Sequence, residues 1–255
     1  MALDEALLES LRAAESVQTG QVTEPDSDAS PVLIVRTYCW EEPTLSLGVN
    51  QQVRDVEFLL DFYGQQSGSG PVRAVVRRPT GGRAILHGED ISYAFITNDP
   101  AVLKLSLKAS YQIYADIVRS ALQRLALSVQ ASASAGERDY LRSPVCFETN
   151  TPSDLLGPEG KKLTGSAQLR RSGGLLQHGA AFLAPYGVTE AMFSQALFEA
   201  TAQAFDRPVV PYPQSHWEAL VPAYQTLQAS YAKSSGAILA KVPTISGSHF
   251  TPDSF

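Results

Sequence analysis

Two stretches of this chain carry residue types that could do chemistry together. The first is Arg77-Arg78-Pro79-Thr80-Gly81-Gly82-Arg83-Ala84-Ile85-Leu86-His87. Its arginines and glycine turn offer guanidiniums and backbone amides to an acidic or acylated ligand. The second runs from Cys146-Phe147 to Lys162-Leu163-Thr164-Gly165-Ser166-Ala167-Gln168 and on to Leu176-Gln177-His178-Gly179. It supplies a thiol nucleophile and then a lysine just ahead of a Gly-Ser pair. A thiol together with a cation that can hold an electrophile is equipment for acyl transfer.

Each residue has a plainer alternative. Free cysteines are commonly small buried hydrophobes, but Cys146 follows a polar, small-residue segment, which disfavours a packed strand. A free thiol has a pKa of about 8.5, so nearby cations must help ionise it. Lys162, His178 and the arginine cluster are the candidates. Arg73, Arg77, Arg78 and Arg83, with Arg170 and Arg171, suit one anionic ligand or an acidic carrier protein; the alternative is a solvated basic face. Thr80-Gly81-Gly82 could be an ordinary hairpin turn, yet its flanking arginines favour a ligand cradle. His87 and His178 close two strand-like motifs, and a lone histidine is more often a satisfied core or surface group than a catalyst. Neither has a partner at metal-ligand spacing, so no metal site is legible.

These residues need elements to position them. Hydrophobic spacing predicts helices over 2–14, 56–63, 105–127, 189–205 and 216–231. Strands are expected at 32–38, 44–48, 72–77, 84–87, 91–97, 162–168 and 175–183. Segments 17–30, 64–71 and 131–143 read as loops, and 233–255 as a loose tail. Strands 72–77, 84–87 and 91–97 read as a β-meander, the last with alternating character. A meander argues against the βαβ phosphate sites of dinucleotide and Walker folds. The fold class expected is α/β in the α+β sense, with a mainly antiparallel sheet and flanking helices. Residues 1–186 would form the catalytic domain, and 187–255 C-terminal helices and a tail packed on it.

A chain of 255 residues can bury one sizeable core. Its net charge of −6 argues against general nucleic-acid binding. No stretch is long and apolar enough to span a membrane, and the acidic start Met1-Ala2-Leu3-Asp4-Glu5-Ala6 lacks a secretory n-region. Cys39 and Cys146 are the only cysteines, so no disulfide framework is available. That suits a reducing cytoplasm.

The order Arg-Arg-x-Thr-Gly-Gly-Arg, cysteine, Lys-x-x-Gly-Ser-Ala-Gln resembles the biotin/lipoate protein ligase superfamily, which contains lipoate–protein ligases, octanoyltransferases and biotin ligases. The cysteine ahead of the lysine loop looks like the cysteine-dependent octanoyltransferase branch. The likeness covers roughly residues 2–186 and fades beyond. It implies a ligase-like catalytic fold and the transfer of octanoyl from acyl carrier protein to a lysine. That lysine would belong to a lipoyl domain of a 2-oxoacid dehydrogenase or to the glycine cleavage H protein. By the same resemblance Cys146 accepts the acyl group and Lys162, not Lys161, holds its carbonyl oxygen. Arg77, Arg78, Thr80, Gly81, Gly82, Arg83, His87, Gly165, Ser166 and His178 would bind substrate. No cofactor is called for, because a thioester donor is already activated. An ATP-dependent lipoate–protein ligase would instead need a nucleotide site and no nucleophilic thiol. A non-catalytic acyl- or carrier-binding paralogue would have no reason to keep Cys146, Lys162, His87 and His178 together.

The chain departs from the family pattern in three places. Gly88 stands where an aspartate commonly follows the histidine. Gly157-Pro158-Glu159-Gly160 lengthens the segment before Lys162. The chain begins at the helix that the family usually precedes with an edge strand. The expectation is either a longer product that starts upstream, or self-association through an open sheet edge.

Overall fold

The computed structural model describes residues 1–16, 31–55, 58–60, 72–132, 151, 153–158, 160–171 and 173–239. The elements are α1 (Ala2–Ser16), β1 (Leu33–Tyr38), β2 (Thr44–Leu47), β3 (Ala74–Arg77), β4 (Ile85–His87) and β5 (Ile91–Thr97). There follow α2 (Pro100–Leu103), α3 (Leu107–Arg124), β6 (Gln130–Ala131), β7 (Leu155–Leu156), β8 (Lys162–Arg171), β9 (Gly174–Ala181), α4 (Glu190–Phe205) and α5 (Gln214–Leu239). A six-stranded sheet has the order β1-β5-β9-β8-β7-β6, with every neighbouring pair antiparallel. A second sheet has the order β3-β2-β4, with β2 parallel to β3 and antiparallel to β4. The fold is therefore α+β and mainly antiparallel, as expected.

The six-stranded sheet is covered on both faces. Tyr93 and Phe95 of β5 join Tyr114, Val118, Phe193 and Leu197 of α3 and α4 in one core cluster. Ala94 and Ile96 point the other way, against Leu7, Leu8 and Leu11 of α1 and Leu220 of α5. Successive side chains alternate across a strand, so burial on both sides makes all seven residues of β5 buried. The predicted alternation of β5 fails for that reason. Helices α3 and α4 start on hydroxyl caps: Ser106 accepts from Ala109 N–H, and Thr189 from Met192 N–H.

The predicted meander is also corrected. β2 lies between β3 and β4, and β5 belongs to the other sheet. Strands sit about 4.8 Å apart, so the segment from Arg78 to Ala84 bridges roughly two strand spacings. It is an arch, not a tight hairpin. The C-terminal helix is longer than expected and takes in residues 233–239 of the supposed tail. Its Ser235 Oγ accepts from Val75 N–H at 3.0 Å, which satisfies a backbone donor on the outer edge of β3. Of the helix expected over 56–63, residues 58–60 are helical, and the rest lies outside the described residues. The loops expected at 17–30 and 64–71, most of 131–143, and residues 240–255 also lie outside them.

Candidate active site

The arch between β3 and β4 is held from within by its own arginines. Arg78 is 3 % exposed. Its guanidinium donates to the carbonyls of Gly81 (3.1 and 2.8 Å), Arg83 (2.7 Å) and Ser46 (3.0 Å). Arg77 Nη1 donates to Gly48 O, Val49 O and Gln51 O at 3.0, 3.3 and 2.5 Å, which ties the segment after β2 to the end of β3. These contacts make Arg77 and Arg78 builders of the loop. Arg78 also lines a cavity, together with Gly82, His87, Gly165, Ser166 and His178. Arg77, Thr80, Gly81, Arg83 and Lys162 stand outside its lining.

Glycine is required twice in this arch. A Cβ on Gly48 would lie 2.1 Å from the Gly82 carbonyl oxygen. Gly82 itself has φ +91°, and a Cβ there would sit 2.8 Å from Arg78 Nη2. The close approach of Gly48 and Gly82 presses the arch down over the sheet, toward Ala167 of β8.

His178 lies on β9, opposite Ala167 of β8 and Ala94 of β5. That register turns it toward the α1 face. Its Nε2 is 2.7 Å from Thr80 Oγ1, which pins the arch to the sheet. Its Nδ1 is 3.6 Å from Asp4 Oδ2, longer than a hydrogen bond but close enough for attraction. Burial lowers the His178 pKa, against the opposing pull of Asp4, so the ring is neutral near pH 7. Thr80 O–H donating to Nε2 and Nδ1–H facing the carboxylate is the tautomer that suits Asp4. Asp4 is fully buried and accepts from Arg36 (2.5 Å) and Tyr38 (2.9 Å). Burial pushes its carboxyl pKa up, but the amino terminus, His178 and Arg36 outweigh that and hold it well below the usual range.

His87, at the end of β4, is 3 % exposed. Its Nδ1 is 2.9 Å from Asp90 Oδ2. The same oxygen accepts from Ser92 Oγ at 2.9 Å, and Ser92 Oγ accepts from Trp40 Nε1 at 2.9 Å. Trp40 stacks on the imidazole with centroids 4.4 Å apart and planes 16° apart. The aspartate that would commonly follow His87 is replaced by Gly88, yet Asp90 supplies a carboxylate three residues on.

Lys162 opens β8. Its Nζ is 2.7 Å from Asp154 Oδ2, with side chains 3 % and 2 % exposed. Burial raises the Asp154 pKa even against Lys162. Lys161 is exposed. The structure thus separates the two lysines as the sequence register does. Cys146 lies outside the described residues. The other thiol, Cys39, is exposed, and partial burial followed by Glu190 and Asp90 raises its pKa, so it is a poor nucleophile at neutral pH.

Three carboxylates were missed in the sequence: Asp4, Asp90 and Asp154. Only Asp90 had a local signal, its spacing of three from His87. Asp4 reaches His178 through the packing of α1 on the sheet, and Asp154 reaches Lys162 across a strand pair. Among the described residues no group of His, Cys, Asp and Glu is arranged to hold a metal ion. No helix among them is long and apolar enough to cross a membrane. A larger hollow of about 1030 Å³ lies between α1, β1, α4 and α5, and no predicted site residue lines it.

Known proteins match both the sequence and the fold. The chain is 37% identical over 156 residues to the octanoyltransferase LipM of Lysinibacillus sphaericus, covering 59% of this chain and 54% of that protein. It is 35% identical over 190 residues to the LipM of Geobacillus kaustophilus, covering 72% and 60%. The chain thus spans little more than half the length of these curated relatives. Its fold is similar to Ta0514 of T. acidophilum, described as a putative lipoate protein ligase with bound lipoic acid. The TM-score is 0.63 at 18% identity, with 91% of this chain and 89% of that one covered, a likeness of fold alone. The family model for the lipoyl protein ligase A/B catalytic domain matches residues 1–226, well past the point at Tyr186 where the resemblance was expected to fade. This chain belongs to the lipoyl protein ligase A/B catalytic domain family.

Proposed function

We propose that this protein is an octanoyltransferase of lipoate biosynthesis. It takes octanoyl from acyl carrier protein onto Cys146 and passes it to the lysine of a lipoyl domain. The observation that carries the reading is the convergence of Arg78, Gly82, Gly165, Ser166, His87 and His178 on one cavity. Lys162 stands at the start of the strand that supplies Gly165 and Ser166. The octanoyltransferase names of the similar proteins support the same reading. Thioester exchange from carrier to Cys146 is close to neutral in free energy, and amide formation then runs downhill. The Lys162 ammonium stabilises the oxyanion that forms in each step. The Asp154 carboxylate holds that ammonium in place. The cavity takes the thioester end of the acyl group, the arch carries its positive charge on Arg78, and Thr80 fixes the arch to His178. The two domain spans, 1–186 and 187–255, act as one catalytic unit in this proposal.

The test is a transfer assay with octanoyl carrier protein and a lipoyl domain, without nucleotide. Octanoylated acceptor should accumulate with the native protein and fail to accumulate with Cys146→Ala. A strict requirement for ATP and free acid would overturn the proposal.

A further inference from the structure

The amide-forming half-reaction needs a proton acceptor. An attacking amine becomes acidic as its nitrogen bonds to the acyl carbon, and a base must take that proton. Two histidines line the cavity, and their surroundings differ. The Nε2 of His178 is engaged by Thr80 at 2.7 Å, while its Nδ1 has no hydrogen-bond partner among the described residues and faces the buried Asp4 carboxylate at 3.6 Å, turned away from an incoming amine by the tautomer that suits Asp4. The His87 Nδ1 is engaged by Asp90, and its Nε2 has no hydrogen-bond partner among the described residues although it is buried. A carboxylate at Nδ1 fixes the proton there and leaves the Nε2 lone pair free. Leaving a buried acceptor unpaired is destabilising, so a donor on the ligand is the partner this nitrogen awaits.

We infer that His87 Nε2 is the base for the acceptor amine, and that Asp90 is its positioning residue. The inference rests on the transfer reading above. As the N–C bond forms and the C–S bond breaks, the sulfur pair stays on Cys146 and the amine proton moves to His87 Nε2. The proton then passes to the thiolate. Amine plus thioester gives amide plus thiol, and His87 is restored. The groups facing the ring suit this exchange. Asp90 stabilises the imidazolium, and the Trp40 face lies parallel to the ring at 4.4 Å, a favourable surface for a cation. Asp90 is itself fixed by Ser92 Oγ at 2.9 Å and by Gly88 N–H at 3.2 Å. Arg78 and His178 line the same cavity.

The test isolates the second half-reaction. The protein is acylated with octanoyl carrier protein, freed of donor, and mixed with a lipoyl domain in a single turnover across a range of pH. His87→Gln should slow transfer about 10²–10⁴-fold, by far more than it slows acylation. His87→Ala should regain part of its rate with added imidazole. Asp90→Asn should slow transfer and displace its pH profile, because an amide can reverse the ring tautomer. A His87→Gln protein that transfers at the native rate overturns the inference while leaving the octanoyltransferase reading intact. Acylation and transfer falling equally, in step with lost thermal stability, also overturns it. Failure of the native protein to acylate Cys146 sinks the transfer reading, and the inference with it.

Discussion

Lys162→Met removes an ammonium that lies 2.7 Å from Asp154 Oδ2, in a pair whose side chains are only 3 % and 2 % exposed. The carboxylate is left buried without its cation. Removing one member of such a pair destabilises by about 3–5 kcal/mol, or roughly 6–20 °C in Tm for a chain of this size. The loss depends on pH. Asp154 already has a raised pKa because burial outweighs Lys162, so its neutral form is favoured by folding. The stabilisation from that neutral form is complete below the unfolded carboxylate pKa and disappears as pH rises through the folded value. Lys162→Met should therefore suffer most at pH 8 and recover in mild acid. Adding Asp154→Asn removes the stranded charge and should restore most of the Tm. Activity should not follow. Without the Lys162 ammonium, transfer should stay about 10²–10³-fold down in the single and the double variant alike. Lys161→Ala, at an exposed position, should match the native protein in both measurements. Thermal melts and single-turnover transfer rates across the set give the answer. A double variant that regains activity along with its Tm would show Lys162 to be structural and refute the reasoning.

Gly48→Ala places a methyl group 2.1 Å from the Gly82 carbonyl oxygen, so the arch must lift from β8; transfer should fall at least about tenfold, a minimum for a misplaced site, and an unchanged rate would refute the role given to that contact. Burial raises the Asp90 pKa, but the His87 charge and the hydrogen bonds from His87, Ser92 and Gly88 bring it below the usual value. A depressed carboxylate stabilises above its unfolded pKa of about 3.9 and loses that contribution as pH falls through the folded value. Urea titrations should therefore show Asp90→Asn less stable than the native protein at pH 7 and converging with it in acid.

The strands that carry the site were legible because their local patterns are strong. Lys162 to Gln168 and Leu175 to Leu183 alternate or run apolar between glycines, and β8 and β9 lie there as a hairpin. The register to Gly165-Ser166 picks out Lys162 over Lys161 by resemblance, and the fold adds that Lys162 has the buried side chain and Lys161 is exposed. Sheet order was harder. Arg77-to-Ile85 looks like a hairpin when only neighbours in sequence are weighed, and nothing local reports that β2 lies between β3 and β4. The alternation assigned to β5 failed on a similar point, since whether a strand has one covered face or two is decided by α1 and α4, which are distant in sequence. The arginines show the limit for side chains. Residue type announces a guanidinium, but only the fold reveals that Arg77 donates to carbonyls of the segment after β2 and Arg78 to carbonyls of its own arch. The carboxylates that steer His178 and Lys162 come from α1 and from the residue before β7, so no short motif contains them.

Covalent transfer through Cys146 is the central claim. Intact-mass measurement after incubation with octanoyl carrier protein, without nucleotide, tests it most directly, with peptide mapping to locate the adduct. The account predicts one octanoyl mass, on Cys146, released by hydroxylamine and discharged by a lipoyl domain. An unmodified protein that still octanoylates the acceptor, or an adduct on any other residue, would contradict it.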